Sequence, residues 1–368
     1  MIWDGAKFKT LVKDKGMTLT ELANRLNVSR QAVNDWTKNQ VPKGSHLIKI
    51  SKILDVNPGY FFPEETAKQI SVPLHRTRGV AKVTLAMEED AMQMAKDYET
   101  LFRFAPAPGL VPVLKINRRD HQSAIDMGKE LRKLVHVESD KPLNYEQTFD
   151  FLSTLKIVII FRDFPQNVKG YAFYCKIYNH RVVFINNMTN ILDLIFPLLH
   201  ETIRAIRDGD GVLAYDQEEE DFCDSVAGST QFPNEYVELV YEAIKGRRES
   251  HQINLLKEFS TKNGHSIFGV AEELKKMHPT FSLNVAGANA NLRKEFPCIG
   301  DILFEDQDPK CYVNQLKTLT PLFFNIVSQQ INNVTTRKIG EWLGLESSLD
   351  VKEVIDEWRR ATFLPLES

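Results

Sequence analysis

No two cysteines in this 368-residue chain are spaced as CxxC, and the four that occur, Cys175, Cys223, Cys298 and Cys311, stand far apart. Such spacing offers neither a disulfide framework nor a cysteine zinc site. It fits a reducing cytoplasm, with all four thiols expected in the core. No apolar run approaches the roughly 18 residues needed to span a bilayer, so no membrane partner is expected. The N-terminal stretch MIWDGAKFKT also lacks the apolar segment of a secretory signal. There is no phosphate-cradling glycine loop, no Ser-His-Asp order and no internal repeat. What remains is an ordinary globular composition, 43% hydrophobic and 26% charged, in a chain long enough for two to four domains.

The net charge of −3 hides an asymmetry. Residues 1–62 hold ten Lys and Arg against five Asp and Glu, whereas the remainder holds 36 against 44. A small basic module on a larger acidic body suggests that only the first part meets a polyanion.

Within that module, Leu19, Leu22, Ala23 and Leu26 recur at helical spacing and predict one apolar face. The helix then breaks at LNVS, where Asn27 suits the turn, Val28 plugs it and Ser29 caps the next helix. That second helix, RQAVNDWTKN, is predicted to bury Ala32, Val33 and Trp36 and to present Arg30, Gln31, Asn34 and Lys38 outward. Two short helices joined by a tight turn form a helix-turn-helix with a recognition helix. Gln and Asn pair bidentately with adenine and Arg with guanine. Ser29, Arg30, Gln31, Asn34, Lys38 and Lys43 are therefore the candidate DNA-binding residues. Lys38, Lys43 and Lys49 are assigned to phosphates, which position a domain without reading sequence. Over about residues 5–62 this segment resembles the phage-repressor (XRE, or Cro/C1-type) DNA-binding domain, which implies a five-helix bundle and binding to a double-stranded operator.

A mixed linker follows, in which His75, Arg76 and Arg78 are read as solvated charges, with DNA phosphates as the alternative. AKVTLAMEEDAMQMAKDYETLFRF predicts one long amphipathic helix whose Met87, Met92 and Met94 pack. Further on, FDFLSTLKIVIIF runs from helix into strand, and YAFYCKIYN with RVVFINN alternates like a hairpin. MTNILDLIFPLLHETIRAIRDG is then a long helix, and EEEDFCDSVAGSTQFP a shorter one closed by Pro233.

The stretch LLHETIRAI places His200 beside Glu201, as in the zinc-gripping HExxH helix, but Arg204 holds the second-ligand position. The order of helices, strands, HExx helix, acidic helix and proline resembles the ImmA/IrrE family of metallopeptidase-like proteins. The resemblance covers about residues 120–235, and the family is often fused to a phage-repressor domain. It implies that His200 matches a first zinc ligand, Glu201 the general base, Glu220 a ligand on the next helix, and Asp224 a residue that orients a ligand. Arg204 breaks the pattern, because a guanidinium has no lone pair for a metal. Its fork is expected to bond Glu220, Glu201 or both, so that the site is vestigial and binds no cofactor. Zinc remains only if another ligand, such as Asp208 or Asp210, stands in.

The expected architecture is α+β and mostly helical. It comprises a helix-turn-helix bundle at 1–62, a linker and long amphipathic helix at 63–118, a zincin-like α+β domain with a small sheet at 119–235, and a helical region at 236–368. The last region is expected to serve dimerisation or sensing, with Thr335 or Thr336 as caps and Trp342 and Trp358 as core aromatics. Two function classes stay open. One is a homodimeric transcription regulator with a catalytically silent body that senses a partner protein or small-molecule inducer. The other is a metal-dependent endopeptidase that cleaves a partner repressor or itself, in phage, antitoxin or stress-response control.

Overall fold

A computed structural model describes residues 3–38, 40–54, 56, 58–61, 70–72, 83–106, 118–168, 170–207 and 217–363. The expectations placed on His75, Arg76, Arg78, Asp208 and Asp210 lie outside the described residues. The chain divides into two compact units, Met1–Gln69 and Ile70–Ser368.

Local capping chemistry accounts for much of the first unit. Helix α1 (Gly5–Asp14) starts where the Asp4 side chain accepts from Lys7 N at 2.8 Å. Helix α2 (Leu19–Leu26) starts in a reciprocal capping box: Thr18 N donates to Glu21 Oε2 at 2.7 Å, and Glu21 N donates to Thr18 Oγ1 at 3.2 Å. Helices α3 (Arg30–Thr37) and α4 (Gly44–Leu54) follow. The fifth helix of the bundle is a single 3-10 turn, Pro58–Phe61. Trp3, Phe8, Leu22, Leu26, Val33, Trp36, Ile50 and Phe61 are buried together as this unit's own core. Asp4 N donates to Phe61 O at 2.7 Å, which ties the start of the unit to its end.

The second unit is built on a four-stranded mixed sheet. Its strands are β1 (Ile70–Ser71), β2 (Val158–Arg162), β3 (Ala172–Ile177) and β4 (His180–Asn186), in the order β1-β3-β4-β2. The expected hairpin is β3 and β4, antiparallel with Phe173 opposite Phe184, while β2 runs parallel to β4 with Val158 opposite Val182. One expectation is corrected: the long amphipathic helix before the sheet is two helices, α5 (Leu85–Asp97) and α6 (Glu99–Arg103). They part at the fully buried Tyr98, whose hydroxyl donates to Trp342 O at 2.8 Å. Met87 and Met94 are buried and Met92 packs beside them. Cys175 and Cys223 are core thiols, but Cys298 and Cys311 are only partly buried and so depart from expectation. Cys298 fails because it opens a helix, with its N–H donating to Asp301.

Helices α7 (His121–Lys133), α8 (Tyr145–Thr154), α9 (Ile191–Arg207) and α10 (Gln217–Gln231) frame the sheet. Two groups of helices follow. Helices α11 (Asn234–Ile244), α12 (Glu249–Asn263), α13 (Ile267–Met277) and α14 (Ala286–Arg293) enclose a second apolar cluster around Phe232, Val237, Leu256, Val270 and Leu274. Helices α15 (Ile299–Leu303), α16 (Pro309–Leu319), α17 (Pro321–Gln330), α18 (Thr336–Leu343) and α19 (Ser348–Phe363) return to the core of the sheet. Thr320 Oγ1 donates to Ile159 O of β2 at 2.7 Å. Thr335 caps α18, and Trp342 and Trp358 are buried. The last carbonyls of α18 have no partner within the helix. Arg162 of β2 reaches Glu341 O, Tyr98 between α5 and α6 reaches Trp342 O, and Tyr312 of α16 reaches Leu343 O at 2.9 Å, which ties this helix end to the sheet and to two neighbouring helical elements.

Helix α10 is held close to α7 at Gly128, where an added Cβ would lie 2.6 Å from Ser229 Oγ and 3.1 Å from the Ser229 carbonyl carbon. The Ser229 hydroxyl cannot easily swing away, because it bonds Ala124 O at 3.1 Å. Removing a glycine from a helix interior gains up to about 1 kcal/mol, whereas overpacking costs typically 1–3 kcal/mol. Gly128→Ala is therefore expected to lower the unfolding free energy by about 1–2 kcal/mol in chemical denaturation. A stabilised variant would contradict this close approach.

Candidate functional site

The helix-turn-helix is assembled from α2, a left-handed Asn27 (φ 55°) and α3. Leu22, Ala23, Leu26, Val33 and Trp36 point inward, Val28 packs against them, and Ala32 is partly rather than fully buried. Ser29 lies at the exposed start of α3, with its Oγ accepting from Ala32 N at 3.1 Å. That bond uses a lone pair and leaves the hydroxyl hydrogen for another acceptor. Arg30, Gln31, Lys38, Lys43 and Lys49 are exposed, and Asn34 is half-buried. Gln31 Nε2 donates to Asp35 Oδ1 at 2.8 Å, so the amide retains its carbonyl oxygen and one further N–H. That pair of groups suits the donor and acceptor edge of adenine.

The second site lies between α9 and α10. On α9, His200, Arg204 and Arg207 share one face, being four and three residues apart. On α10, Glu219, Glu220 and Asp224 meet them in antiparallel order. His200 Nδ1 is 2.8 Å from Asp224 Oδ1, and His200 Nε2 is 3.3 Å from Glu220 Oε2. Arg204 Nη1 donates to Glu201 Oε2 at 3.0 Å, and its Nε is 3.3 Å from Glu220 Oε1. Arg207 Nη2 donates to Glu219 Oε2 at 2.9 Å, while its guanidinium carbon sits 4.6 Å from the centre of the Phe222 ring. Arg119, just ahead of α7, also reaches Glu219 Oε2 at 2.9 Å. The backbone N–H of Tyr174 in β3 donates to Glu201 Oε2 at 3.0 Å.

The structure thus brings His200, Glu201, Arg204, Glu220 and Asp224 into one buried cluster. Sequence reasoning missed Arg207, Glu219, Arg119 and the Tyr174 amide. The i+7 spacing of Arg207 from His200 was a usable signal. Arg119 and Tyr174 are brought in by distant elements and carry no local signal.

Burial alone would push the His200 imidazole below its ordinary pKa, but bonds to Asp224 and Glu220 and the charge of Glu201 more than reverse this. The group is held up at about 9. Arg204, only 2% exposed, is likewise disfavoured by burial yet held above its ordinary pKa by Glu201 and Glu220. Burial pushes the Cys175 and Cys223 thiols up, so neither is a ready thiolate.

These residues do not fit a zinc ion. A ligating imidazole needs one nitrogen lone pair free, and a carboxylate ligand needs an oxygen aimed at the metal. Here His200 Nδ1 faces Asp224 and Nε2 faces Glu220, but the position of the second nitrogen ligand holds Arg204, whose guanidinium has no lone pair to give. Glu220 is shared between His200 and Arg204, and Glu201 between Arg204 and the Tyr174 amide. Among the described residues, no group of three or more His, Cys, Asp and Glu side chains is arranged to hold a metal. None of the described helices is long and apolar enough to cross a membrane.

The helix-turn-helix family model matches residues 8–61, wholly inside the first unit. No curated protein and no solved structure matches the chain. The match and the exposed α3 face together identify the N-terminal unit as a helix-turn-helix DNA-binding module of a transcription regulator.

His200 sets a pH dependence. Its folded pKa near 9 lies above the unfolded value near 6.5. Protonation therefore stabilises the fold fully below about pH 6.5, and that contribution is lost as pH rises through about 9. The native chain is expected to lose on the order of 2–3 kcal/mol of unfolding free energy between pH 6.5 and 9. His200→Gln should flatten the profile, and parallel profiles for native and variant would contradict the assignment.

Proposed function

We propose that this protein is a cytoplasmic transcription regulator that reads an operator as a homodimer and carries a catalytically silent, peptidase-like body answering to a partner protein or small-molecule inducer. The observation that carries the regulator reading is the exposed Arg30–Gln31 pair on a capped recognition helix. It lies in a segment with ten Lys and Arg against five Asp and Glu. Repressor-type readers bind two half-sites about one helical turn apart, which is why the dimer belongs to the proposal. A signal that favours one state of the body would shift the fraction of dimer able to bind.

The silence of the body follows from the chemistry of its residues. A general base must be free to take a proton, but Glu201 is pinned between the Tyr174 amide and Arg204. A hydrolytic zinc site needs three protein ligands and an open position, and Arg204 closes it with a fixed cation. We therefore assign no cofactor. The order of secondary elements and the position of His200 and Glu201 support descent from an ImmA/IrrE-like peptidase.

The test is selection from a random-sequence duplex library, followed by binding titrations across salt concentrations. The full chain should enrich a two-half-site sequence. Arg30→Ala and Gln31→Ala should each erase preference at one base pair, worth about 1–3 kcal/mol of discrimination. Lys38→Ala and Lys43→Ala should weaken binding to all sequences alike and lower the salt slope by about 1 each. Absence of any enriched sequence, with no salt dependence of duplex binding, would overturn the regulator reading.

A further inference from the structure

We infer that Arg204 is a built-in cation: its guanidinium occupies the convergence of Glu201 and Glu220 and performs the charge neutralisation that a bound metal would otherwise supply. The inference deepens the reading of the body as catalytically silent and rests on it.

The buried carboxylates of this pocket call for a cation of this kind. Glu201 and Glu220 are both buried, and Asp224 is partly buried beside them. An unpaired carboxylate in such a place would be strongly destabilising, so the pocket must contain positive charge. The His200 ring lies between Glu220 and Asp224, with Nε2 3.3 Å from Glu220 Oε2 and Nδ1 2.8 Å from Asp224 Oδ1. Arg204 supplies a permanent charge: its Nη1 donates to Glu201 Oε2 at 3.0 Å and its Nε lies 3.3 Å from Glu220 Oε1 in an ion pair. A lysine ammonium is a more strongly hydrated point charge, so burying it between these carboxylates would cost more than burying a guanidinium. Because Arg204 is covalently part of α9, its charge cannot be chelated away. The α9–α10 pairing is thereby independent of metal supply, and the same pairing withholds the carboxylates from any metal.

The same geometry leaves the helical positions of a metal site in place. A histidine at 204 would lie one turn from His200 on the face that meets Glu220, which gives three ligand side chains. Replacing Arg204 should thus exchange one cation for another.

The experiment uses the chelator-treated full chain in native, Arg204→His, Arg204→Met and Arg204→Lys forms, with zinc chloride as the probe. Thermal unfolding is read with and without zinc, and binding by titration calorimetry. The native chain is expected to bind no stoichiometric zinc and to keep its Tm when zinc is added. Arg204→Met, which removes the charge at similar volume, should lower Tm by roughly 6–15 °C, and Arg204→Lys by less. Arg204→His should bind about one zinc per chain and recover about 5 °C or more at a hundredfold excess over Kd.

Stoichiometric zinc in the native chain, lost in His200→Ala, would overturn the inference. So would an Arg204→Met chain as stable as native, because the carboxylates would then need no guanidinium. An Arg204→His chain that folds but gains no zinc affinity would also overturn it. Duplex binding by the native chain is measured alongside and decides the regulator reading separately, so failure of either is recognisable on its own.

Discussion

Burying carboxylates between two helices obliges those helices to bring cations with them, and the Arg204 fork across Glu201 and Glu220 meets that obligation in the body of this protein. Much of the local arrangement depends on it. The antiparallel order His200–Asp224, Arg204–Glu220, Arg207–Glu219 matches the register of α9 against α10, because a slip by one turn would leave a buried group at one end without its partner. Glu201 carries the constraint into the sheet through the Tyr174 amide. Gly128 carries it to α7, since only a glycine lets α10 approach closely enough at Ser229.

The basic reader and the acidic body solve different physical problems. The reader is small, so it relies on strong local devices: a capping box at Thr18 and Glu21, a left-handed Asn27, a Ser29 cap and an aromatic core around Trp3, Phe8 and Trp36. Its recognition face stays wet, which keeps Arg30 and Gln31 available to a groove. The body instead turns polar groups inward, where His200, Arg204 and Arg207 of α9 meet carboxylates of α10 and Glu201 meets the sheet.

The C-terminal helices divide by the same logic of unsatisfied groups. The end of α18 is held by Arg162 of β2, by Tyr98 and by Tyr312 of α16, which answer its terminal carbonyls. In the second cluster, the fully buried His265 is pushed down to about 4 by burial, and it bonds Tyr236 at 2.6 Å. A neutral ring there serves packing, in contrast to the charged ring of His200.

Elements set by short-range chemistry were legible from the chain itself. The helix-turn-helix follows from apolar spacing and cap residues, and the β3–β4 hairpin from alternation with β-branched and aromatic residues. The face shared by His200 and Arg204 follows from helical geometry alone. The absence of a lone pair on Arg204 is a property of the residue and needs no structure. Other features depend on contacts far apart in sequence. The residue at the break between α5 and α6, Tyr98, donates its hydroxyl to a carbonyl 244 residues away. The partial exposure of Cys298 and Cys311, and the entry of Arg119 and the Tyr174 amide into the charge cluster, likewise follow from packing between distant elements. The sequence by itself determined a helix-turn-helix module and a cation, Arg204, one helical turn after His200. Only the tertiary structure decided which carboxylates that cation holds, because buried charges choose partners by proximity and desolvation, and these exist only once the chain has folded.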